Sequence, residues 1–331
     1  KEELRIVDII DEGLNVKTFR FKRVNGERFS VFAPGQFLSF QIKDDVKLLR
    51  SYSISGSCEN TSTLQVSIKH IKDGVGSGWF HSLKKGDFVM AFPPGGHFTD
   101  EREALEQQRV FVGGGIGITP LISMIKTAID RSTGSPMALF YGMASTKDLV
   151  FHEELLNLAA TYKNFKYYPI LSPGAKGWDG DTGYINYDYI LSKMDLSPTD
   201  QFYFCGPPIM TDSISESLLS HGHESGHIHS EKFASPVSFD EGNIPKRQVQ
   251  VKIKAQSLAY DGKESLLEFL EDNNVEINFA CRSGVCGECK CKLISGKVDS
   301  ITDSGLTALD KKEGHILTCV SRPLSDIELD V

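Results

Sequence analysis

The sequence contains no long apolar run and no excess of positive charge. No segment approaches the roughly 18 apolar residues that a membrane-spanning helix needs, and the opening residues, KEELRIVDII, lack the apolar region of a secretory signal. Lys and Arg number 36 against 44 Asp and Glu, which leaves a net charge of −8. Because a protein that binds nucleic acid needs a basic surface, we expect a cytoplasmic protein with no membrane span and no nucleic-acid partner.

Cysteine is too scarce and too unevenly placed for a disulfide framework. The 331 residues contain seven, an odd number, and a chain of this length can bury enough apolar surface without cross-links. Cys58 and Cys205 are isolated, whereas the other five lie in the last quarter of the chain. The two paired C-x-x-C units that are typical of structural zinc sites are also lacking. These observations favour a reducing compartment and another use for the clustered cysteines.

The clustered cysteines follow the pattern C-x4-C-x2-C, with one more cysteine much later. This is the spacing of plant-type [2Fe–2S] ferredoxins, in which four thiolates hold two irons. Gly284 and Gly287 let the backbone wrap closely and direct amide groups at the sulfurs. Cys291 is off the pattern, and we predict that it is a buried strand residue. The predicted cluster ligands are Cys281, Cys286, Cys289 and Cys319.

The character of the sequence changes along the chain, without any internal repeat. Short alternating strands separated by Gly, Pro and Asn predict an antiparallel β-barrel, with strands at 4–10, 17–22, 37–42, 51–55, 63–70 and 88–92. An α/β parallel-sheet domain should follow, with strands at 109–112, 137–141, 165–171 and 201–205 and helices at 120–130 and 149–161. A linker without periodicity then precedes a small α+β unit of ferredoxin (β-grasp) type. We predict a multidomain chain divided at 1–103, 104–233, 234–247 and 248–331.

Two elements of the barrel region suit a flavin nucleotide. In RSYS, Arg50 can clamp a phosphate, Tyr52 can stack on a flat ring, and the Ser53 hydroxyl can bond a ring nitrogen. In GVGS, residues 74–77 open an apparent helix, and a Gly-rich helix N-terminus favours a pyrophosphate. Each element alone is better explained as an ordinary strand or turn. Together, in this order and with a cluster downstream, they predict a flavin site.

The α/β region opens with a Gly-rich turn, GGGIGITP, between a strand and a helix. Glycines permit tight turning and close approach of the backbone to a phosphate. The turn departs from the G-x-G-x-x-G dinucleotide pattern because Ile118 replaces the third glycine, and no acidic residue closes the next strand. Further along, CGPP at 205–208 ends an apolar strand, and EKF occupies 231–233.

The order RSYS, DGVGS, GGGIGITP, CGPP and EKF resembles the ferredoxin–NADP reductase superfamily. The cysteine-rich tail narrows the resemblance to bacterial reductases with the domain order flavin, NAD, [2Fe–2S], and the match covers nearly the whole chain. It implies that Arg50 binds the flavin phosphate, that Tyr52 packs on the isoalloxazine, and that Ser53 faces its N5. It also implies that the GVGS element binds the second phosphate of FAD, so that FAD is favoured over FMN.

The same resemblance implies roles for further residues of this chain. Thr119 should lie near flavin and nicotinamide, Cys205 near nicotinamide C4, and the aromatic ring of Phe233 beside the flavin. The implied catalytic residues are Ser53, Cys205, Glu231 and Phe233. The implied cofactor-binding residues are Arg50, Ser51, Tyr52, Ser53, Ile68, Lys69, Val75, Gly76, Ser77, Gly114, Gly115, Ile116, Gly117, Thr119, Cys205, Gly206, Pro207 and Phe233.

The nucleotide and the electron acceptor are less sharply indicated. Relatives that prefer NADP often carry Ser-Arg where this chain has Ser172-Pro173, so NADH is favoured unless Lys176 supplies the charge. We predict an NADH-dependent flavin/[2Fe–2S] reductase that passes single electrons to a separate protein. The resemblance points to a Rieske-type oxygenase or demethylase, and alternatively to a hybrid-cluster protein. A non-catalytic redox sensor is a third interpretation.

Four histidines, at 221, 223, 227 and 229, crowd into nine residues. A metal site is conceivable, but the electron-transfer chemistry needs no second metal. We interpret the segment as a helix-to-strand loop, with His227, His229 and Glu231 alternating along the last strand of the α/β domain.

Overall fold

The computed structural model describes residues 1–331 except 14, 44, 101–106, 234–247, 255, 263, 280 and 304, and omits the side chains of 46, 47 and 308. The chain forms two compact units. The first comprises Lys1–Pro94 and Phe98–Phe233, and the second comprises Gly95–His97 and Ala234–Val331. The predicted linker and the predicted boundary at 103/104 lie outside the described residues. Within the described part of the chain, no helix is long and apolar enough to cross a lipid bilayer.

An antiparallel sheet of six strands forms the first half of the first unit, in the order β4-β3-β6-β1-β2-β5. Ile54, just after β4, bridges to Val66 of β5, so that the two edge strands meet and the sheet closes as predicted. Helix α1 plugs this barrel with Phe80, which is fully buried against the aromatic rings of the strands. The elements are β1 (Glu2–Gly13), β2 (Val16–Arg23), β3 (Phe37–Ile42), β4 (Asp45–Ser53), β5 (Leu64–Lys69), α1 (Val75–Ser82) and β6 (Phe88–Ala91).

A parallel sheet of six strands, in the order β10-β9-β8-β7-β11-β12, forms the second half. Its central strands are continuous apolar runs, as expected for a sheet covered by helices on both faces. The strands are β7 (Arg109–Gly114), β8 (Met137–Met143), β9 (Phe165–Leu171), β10 (Asp181–Thr182), β11 (Gln201–Cys205) and β12 (Ile228–Glu231). The helices are α2 (Ile118–Asp130), α3 (His152–Thr161), α4 (Tyr187–Lys193) and α5 (Pro208–Ser220).

A buried ion pair links the segment after β6 to the parallel sheet. Arg109 Nη1 lies 3.1 Å from Asp100 Oδ2, and both side chains are almost fully buried. Tyr203 donates its hydroxyl to the other carboxylate oxygen at 3.0 Å, and Phe98 packs in the same core. Breaking one partner of such a pair would leave a buried charge uncompensated, which costs about 3–5 kcal/mol. The contact therefore fixes the chain's entry into the α/β half.

The second unit is a mixed five-stranded sheet, in the order β14-β13-β19-β15-β17, with a two-stranded ribbon of β16 and β18. Helix α6 begins with a capping box between Ser265 and Glu268 and buries its leucines against the sheet. The strands are β13 (Val249–Ile253), β14 (Gln256–Tyr260), β15 (Lys290–Ser295), β16 (Val298–Ser300), β17 (His315–Leu317), β18 (Ser321–Pro323) and β19 (Ile327–Asp330). The helices are α6 (Leu266–Asp272) and α7 (Ala308–Lys312).

Candidate cofactor sites

The predicted flavin residues occupy the end of β4. Ser53 is buried and Tyr52 half-buried, and burial raises the pKa of the Tyr52 phenol, which therefore stays protonated. Arg50 donates from Nη1 to the carbonyl of Leu49 at 2.7 Å. The Ser51 hydroxyl is bonded across the sheet to a serine of β3 at 2.8 Å. Of the four residues in the motif, Ser51 thus serves to hold two strands together.

Helix α1 brings the second predicted flavin element against the first. A Cβ on Gly76 would lie 2.6 Å from Arg50 Cγ and 2.9 Å from Tyr52 Oη, so only glycine allows this approach without displacing them. No side chain of the described residues caps the helix at Gly74, and its first turn carries no acidic residue. The hydroxyl of Ser77 is used inside the turn, at 3.4 Å from Gly74 O. An arginine beside an uncapped helix N-terminus fits the phosphates of FAD.

The remaining residues predicted from the barrel take differing positions. Ile68 is buried, and its carbonyl accepts from His81 Nε2 at 2.9 Å. Burial lowers the pKa of His81, which favours the neutral ring as donor. Lys69 ends β5 with a half-buried side chain, and Val75 is 47% exposed at the start of α1. The side chain of Ile68 therefore belongs to the barrel core, and its carbonyl is already bonded to His81.

The Gly-rich turn lies between β7 and α2, as predicted. Residues 115–117 form one turn of 3-10 helix. Gly115 has a φ of +59°, and a Cβ placed there would meet no atom of the described residues within 4 Å. Because Gly115 has no side chain, it can adopt the left-handed conformation, and the space beside the turn is open. Ile116 packs partly on the core of the α/β half.

Three glycines let the turn after β7 touch the end of β11. A Cβ on Gly117 would lie 2.2 Å from Cys205 O, and one on Gly114 would lie 2.6 Å from Pro207 Cδ. A Cβ on Gly206 would come within 2.9 Å of Gly114 N. Five of the predicted nucleotide residues are therefore brought together at the carboxyl ends of neighbouring parallel strands, where ligands bind in open α/β sheets.

Cys205 lies at the centre of this contact and is fully buried. It pairs with Gly113 of β7 on one side and with Glu231 of β12 on the other. Burial, and next the Glu231 carboxylate, raise the pKa of the Cys205 thiol well above its ordinary value, so it stays protonated. Phe233 is 44% exposed just beyond β12, after a Lys232–Asp212 ion pair of 2.7 Å.

Two hydroxyl groups hold consecutive carbonyls of the Gly-rich turn. Thr119 donates to Ile116 O at 3.0 Å and is buried, so its hydroxyl serves the turn. Tyr141 of β8 donates to Gly115 O at 3.1 Å from a fully buried position. Sequence reasoning missed Tyr141, because a tyrosine within an apolar strand carries no local signal for a contact made 26 residues away.

The four predicted ligand cysteines lie together in the second unit, each less than 9% exposed. The Cys281 thiol is within hydrogen-bonding reach of Cys286 and Cys319, and these contacts lower its pKa. Cys289 in turn is within reach of Cys319. Among the described residues no three His, Cys, Asp or Glu side chains are grouped around a point suited to one metal ion. Four neighbouring thiols are the donor set that a [2Fe–2S] cluster takes, two on each iron.

Cys291 is buried in β15 against the sheet core, as predicted. Burial raises the pKa of its thiol to about 12. Two charged residues beside the ligands, Arg282 and Lys290, are paired: Arg282 bonds Glu271 and is only 11% exposed, whereas Lys290 lies 2.7 Å from Asp310 and is 43% exposed.

The four histidines of the crowded segment each have a separate partner. The His221 ring stacks on Tyr187 at 4.3 Å, and His223 is buried edge-on against Phe202. His227 lies in a 3-10 turn before β12, not in the strand where it was expected, and its Nδ1 is 3.1 Å from Pro198 O. His229 stacks on Tyr203 at 4.9 Å.

Comparison with known proteins identifies three cofactor-binding domains in the chain. Three family models match the chain: an oxidoreductase FAD-binding domain over residues 3–99, an oxidoreductase NAD-binding domain over 111–216, and a 2Fe-2S iron-sulfur cluster binding domain over 249–324. The glycine betaine monooxygenase reductase subunit of Pseudomonas aeruginosa is 28% identical, over 99% of this chain and 94% of that one.

Two further relatives have the same extent. The ferredoxin reductase component of 3-ketosteroid-9-alpha-monooxygenase from Rhodococcus rhodochrous is 27% identical, over 98% of this chain and 94% of its own. The solved structure of phthalate dioxygenase reductase superposes with a TM-score of 0.70 at 25% identity, covering 99% of this chain and 97% of that one. The chain is thus an oxidoreductase with flavin, NAD and [2Fe–2S] domains, and it belongs to the ferredoxin–NADP reductase superfamily, among the oxygenase-type reductases with a C-terminal plant-type ferredoxin domain.

Proposed function

We propose that this reductase takes electrons from NADH and delivers them singly, through its ferredoxin domain, to a separate Rieske-type oxygenase or demethylase component. The observation that carries the proposal is the set of four buried, neighbouring thiols on the same chain as the flavin and NAD domains. NADH supplies two electrons as a hydride, and bound FAD and a [2Fe–2S] cluster supply the step from paired to single electrons. The matched monooxygenase reductase subunits support the choice of acceptor.

In this proposal FAD is held by residues of the barrel. Arg50 clamps a phosphate, the N–H groups of residues 75–77 bind the second phosphate, and Tyr52 covers the ring. Ser53 directs its hydroxyl to the ring nitrogen that receives the hydride. Because Gly76 permits α1 to begin directly against Arg50 and Tyr52, all these groups reach one ligand.

The NADH site is proposed at the touching ends of β7 and β11. The turn at 115–117 binds the pyrophosphate, and Cys205 with Glu231 lines the nicotinamide pocket. Since burial keeps the Cys205 thiol neutral, it acts as a small apolar wall that excludes water and takes no proton during hydride transfer. Phe233 is proposed to cover the flavin until nicotinamide arrives.

The domain limits remain proposals: 1–103 for FAD, 104–233 for NAD, 234–247 as linker and 248–331 for the cluster. Phe98 and Asp100 already pack with the α/β half, which argues for a first boundary a few residues before 103. The ligand thiols have to stay reduced until iron is inserted, which favours a cytoplasmic protein.

Nucleotide choice should favour NADH. The loop after β9 carries Pro173 where a guanidinium would be needed, and Lys176 is exposed three residues before the acidic Asp179. These groups provide no fork for a 2′-phosphate. We expect a higher kcat/KM with NADH than with NADPH, and a Pro173→Arg variant should narrow the ratio. A higher value for NADPH in the wild type would show that Lys176 or another residue supplies the charge.

The acceptor is tested by mixing the NADH-reduced protein anaerobically with a purified Rieske-type oxygenase component and, separately, with a hybrid-cluster protein. We expect rapid reduction of the Rieske centre, followed by its visible spectrum, and slow reduction of the other protein. The reverse order would select the alternative acceptor. A redox sensor would turn over NADH slowly even with an artificial acceptor such as ferricyanide.

A further inference from the structure

The cluster loop repeats one backbone turn at two of its ligands. The N–H of Ser283 points at Cys281 Sγ at 3.4 Å, and the N–H of Glu288 points at Cys286 Sγ at 3.5 Å. In both cases the residue between sulfur and amide is left-handed, with φ of +53° at Arg282 and +76° at Gly287. A left-handed residue after the cysteine turns the next amide back to the sulfur, so this conformation is what makes each bond.

The two turns differ in the conformational free energy of their left-handed residue. Glycine adopts the left-handed region freely, whereas a side chain disfavours it. Arg282 is neither glycine nor one of the small polar residues that tolerate this region. The turn at Cys281 therefore needs support that the turn at Cys286 does not need.

That support comes from the end of helix α6. Arg282 forms an ion pair with Glu271, and its guanidinium lies 4.4 Å from the centre of the Phe279 ring. The two charged side chains are 11% and 22% exposed. Arg282 Nε and Glu271 Oε2 are both buried without a hydrogen-bond partner among the described residues. The pair thus gives up part of its hydrogen bonding, which argues for a positioning role more than for a stabilising one.

We propose that Glu271 is a positioning residue for the cluster: by holding Arg282 in its left-handed conformation it keeps the Ser283 N–H on Cys281 Sγ and so raises the reduction potential. An N–H bonded to a ligand sulfur stabilises the more negative, reduced cluster, and such bonds help to set the potential. This inference rests on the proposed ligand set. If the ligand set is wrong, the wild-type protein will show no cluster spectrum. If only the role of Glu271 is wrong, the cluster will be present but its reduction potential will not shift as expected.

The direction in which Glu271→Ala shifts the reduction potential of the cluster separates this positioning role from a simple effect of charge. Removing the negative charge of Glu271 should by itself make the potential more positive. If Glu271 instead holds the turn, Glu271→Ala releases Arg282 into water, where its charge is screened. The Ser283 bond is then lost and the potential becomes more negative. Glu276→Ala is the matched control. It removes an exposed negative charge five residues after Glu271 and leaves Arg282 and Glu271 unchanged.

The test is spectroelectrochemical titration of the [2Fe–2S] centre in the full-length holoprotein, with resonance Raman bands of the iron–sulfur bonds as a second readout. We expect Glu271→Ala to shift the potential negative and Glu276→Ala to leave it unchanged or slightly positive. Adding Arg282→Gly to Glu271→Ala should restore the potential towards wild type, since glycine adopts the left-handed turn unaided. An unchanged or more positive potential in Glu271→Ala would overturn the proposal. If Glu271→Ala fails to retain a cluster, recovery of the cluster in the double variant supports the proposal, and failure to recover it contradicts the proposal.

Discussion

Cys281→Ser should abolish electron delivery to a one-electron protein acceptor while sparing reduction of a two-electron acceptor by NADH. Cys281 contacts two of the other three ligand thiols, so its loss breaks up the ligand set. Delivery to the proposed Rieske-type acceptor should fall by about 100-fold or more, beyond the 10–100-fold that a lost outer contact typically costs. Dichlorophenolindophenol, which can take electrons from the flavin, should still be reduced.

Cys291→Ser is the matched control for this variant. Cys291 lies two residues from a ligand but faces the sheet core, 4% exposed. Its replacement should cost about 1 kcal/mol of stability and leave the cluster in place. Equal loss of both activities in Cys281→Ser with FAD still bound would contradict the order of electron flow. Loss of the cluster only in Cys291→Ser would show that the ligands are wrongly assigned.

Gly117→Ala should impair the use of NADH far more than its single methyl group suggests. The new Cβ would lie 2.2 Å from the carbonyl oxygen and 2.5 Å from the carbonyl carbon of Cys205. These are backbone atoms of β11, which cannot rotate away, so the turn and the strand end have to separate. Displacing reacting groups by about 1 Å can cost about 100-fold, and we expect a loss of this size in kcat/KM for NADH.

Gly134→Ala is the matched control, because it makes the same substitution elsewhere in the α/β half. Gly134 has a φ of +71°, and a Cβ there meets no atom of the described residues within 4 Å. This variant should lose about 1–2 kcal/mol of stability from the left-handed residue and keep its kcat/KM. In both variants dithionite should still reduce flavin and cluster, which shows that the fold is retained. An unchanged kcat/KM in Gly117→Ala would show that the NADH site does not lie where the turn after β7 touches the end of β11.

Short sequence patterns predicted the strands whose ends are marked by turn residues. The strands Phe37–Ile42, Phe165–Leu171 and Gln201–Cys205 were predicted with their observed bounds, because each is a short apolar run between turn residues. Helix α3 begins three residues later than predicted, since Phe151 is left-handed and ends the preceding turn. Strand β4 begins at Asp45, six residues earlier than predicted, because its pairing with β3 extends past a bulge.

Contacts made over a long sequence separation were beyond the reach of those patterns. The cysteine spacing was sufficient to predict four neighbouring thiols, and the glycines indicated tight approach. Nothing near Arg282 in the sequence indicates that its charge is paired with Glu271. The Tyr141 bond to Gly115 likewise depends on the register of β7 and β8, which is a property of the assembled sheet.

The central claim is that electrons from NADH pass through flavin to a [2Fe–2S] cluster on the same chain. Anaerobic titration of the purified holoprotein with NADH, followed by visible and electron paramagnetic resonance spectra together with iron and acid-labile sulfide analysis, tests it most directly. The account predicts bleaching of the flavin and the signal of a reduced [2Fe–2S] centre in proportion to bound iron, with both absent after removal of FAD. Bound zinc without acid-labile sulfide, or a cluster that NADH reduces equally well without FAD, would contradict it.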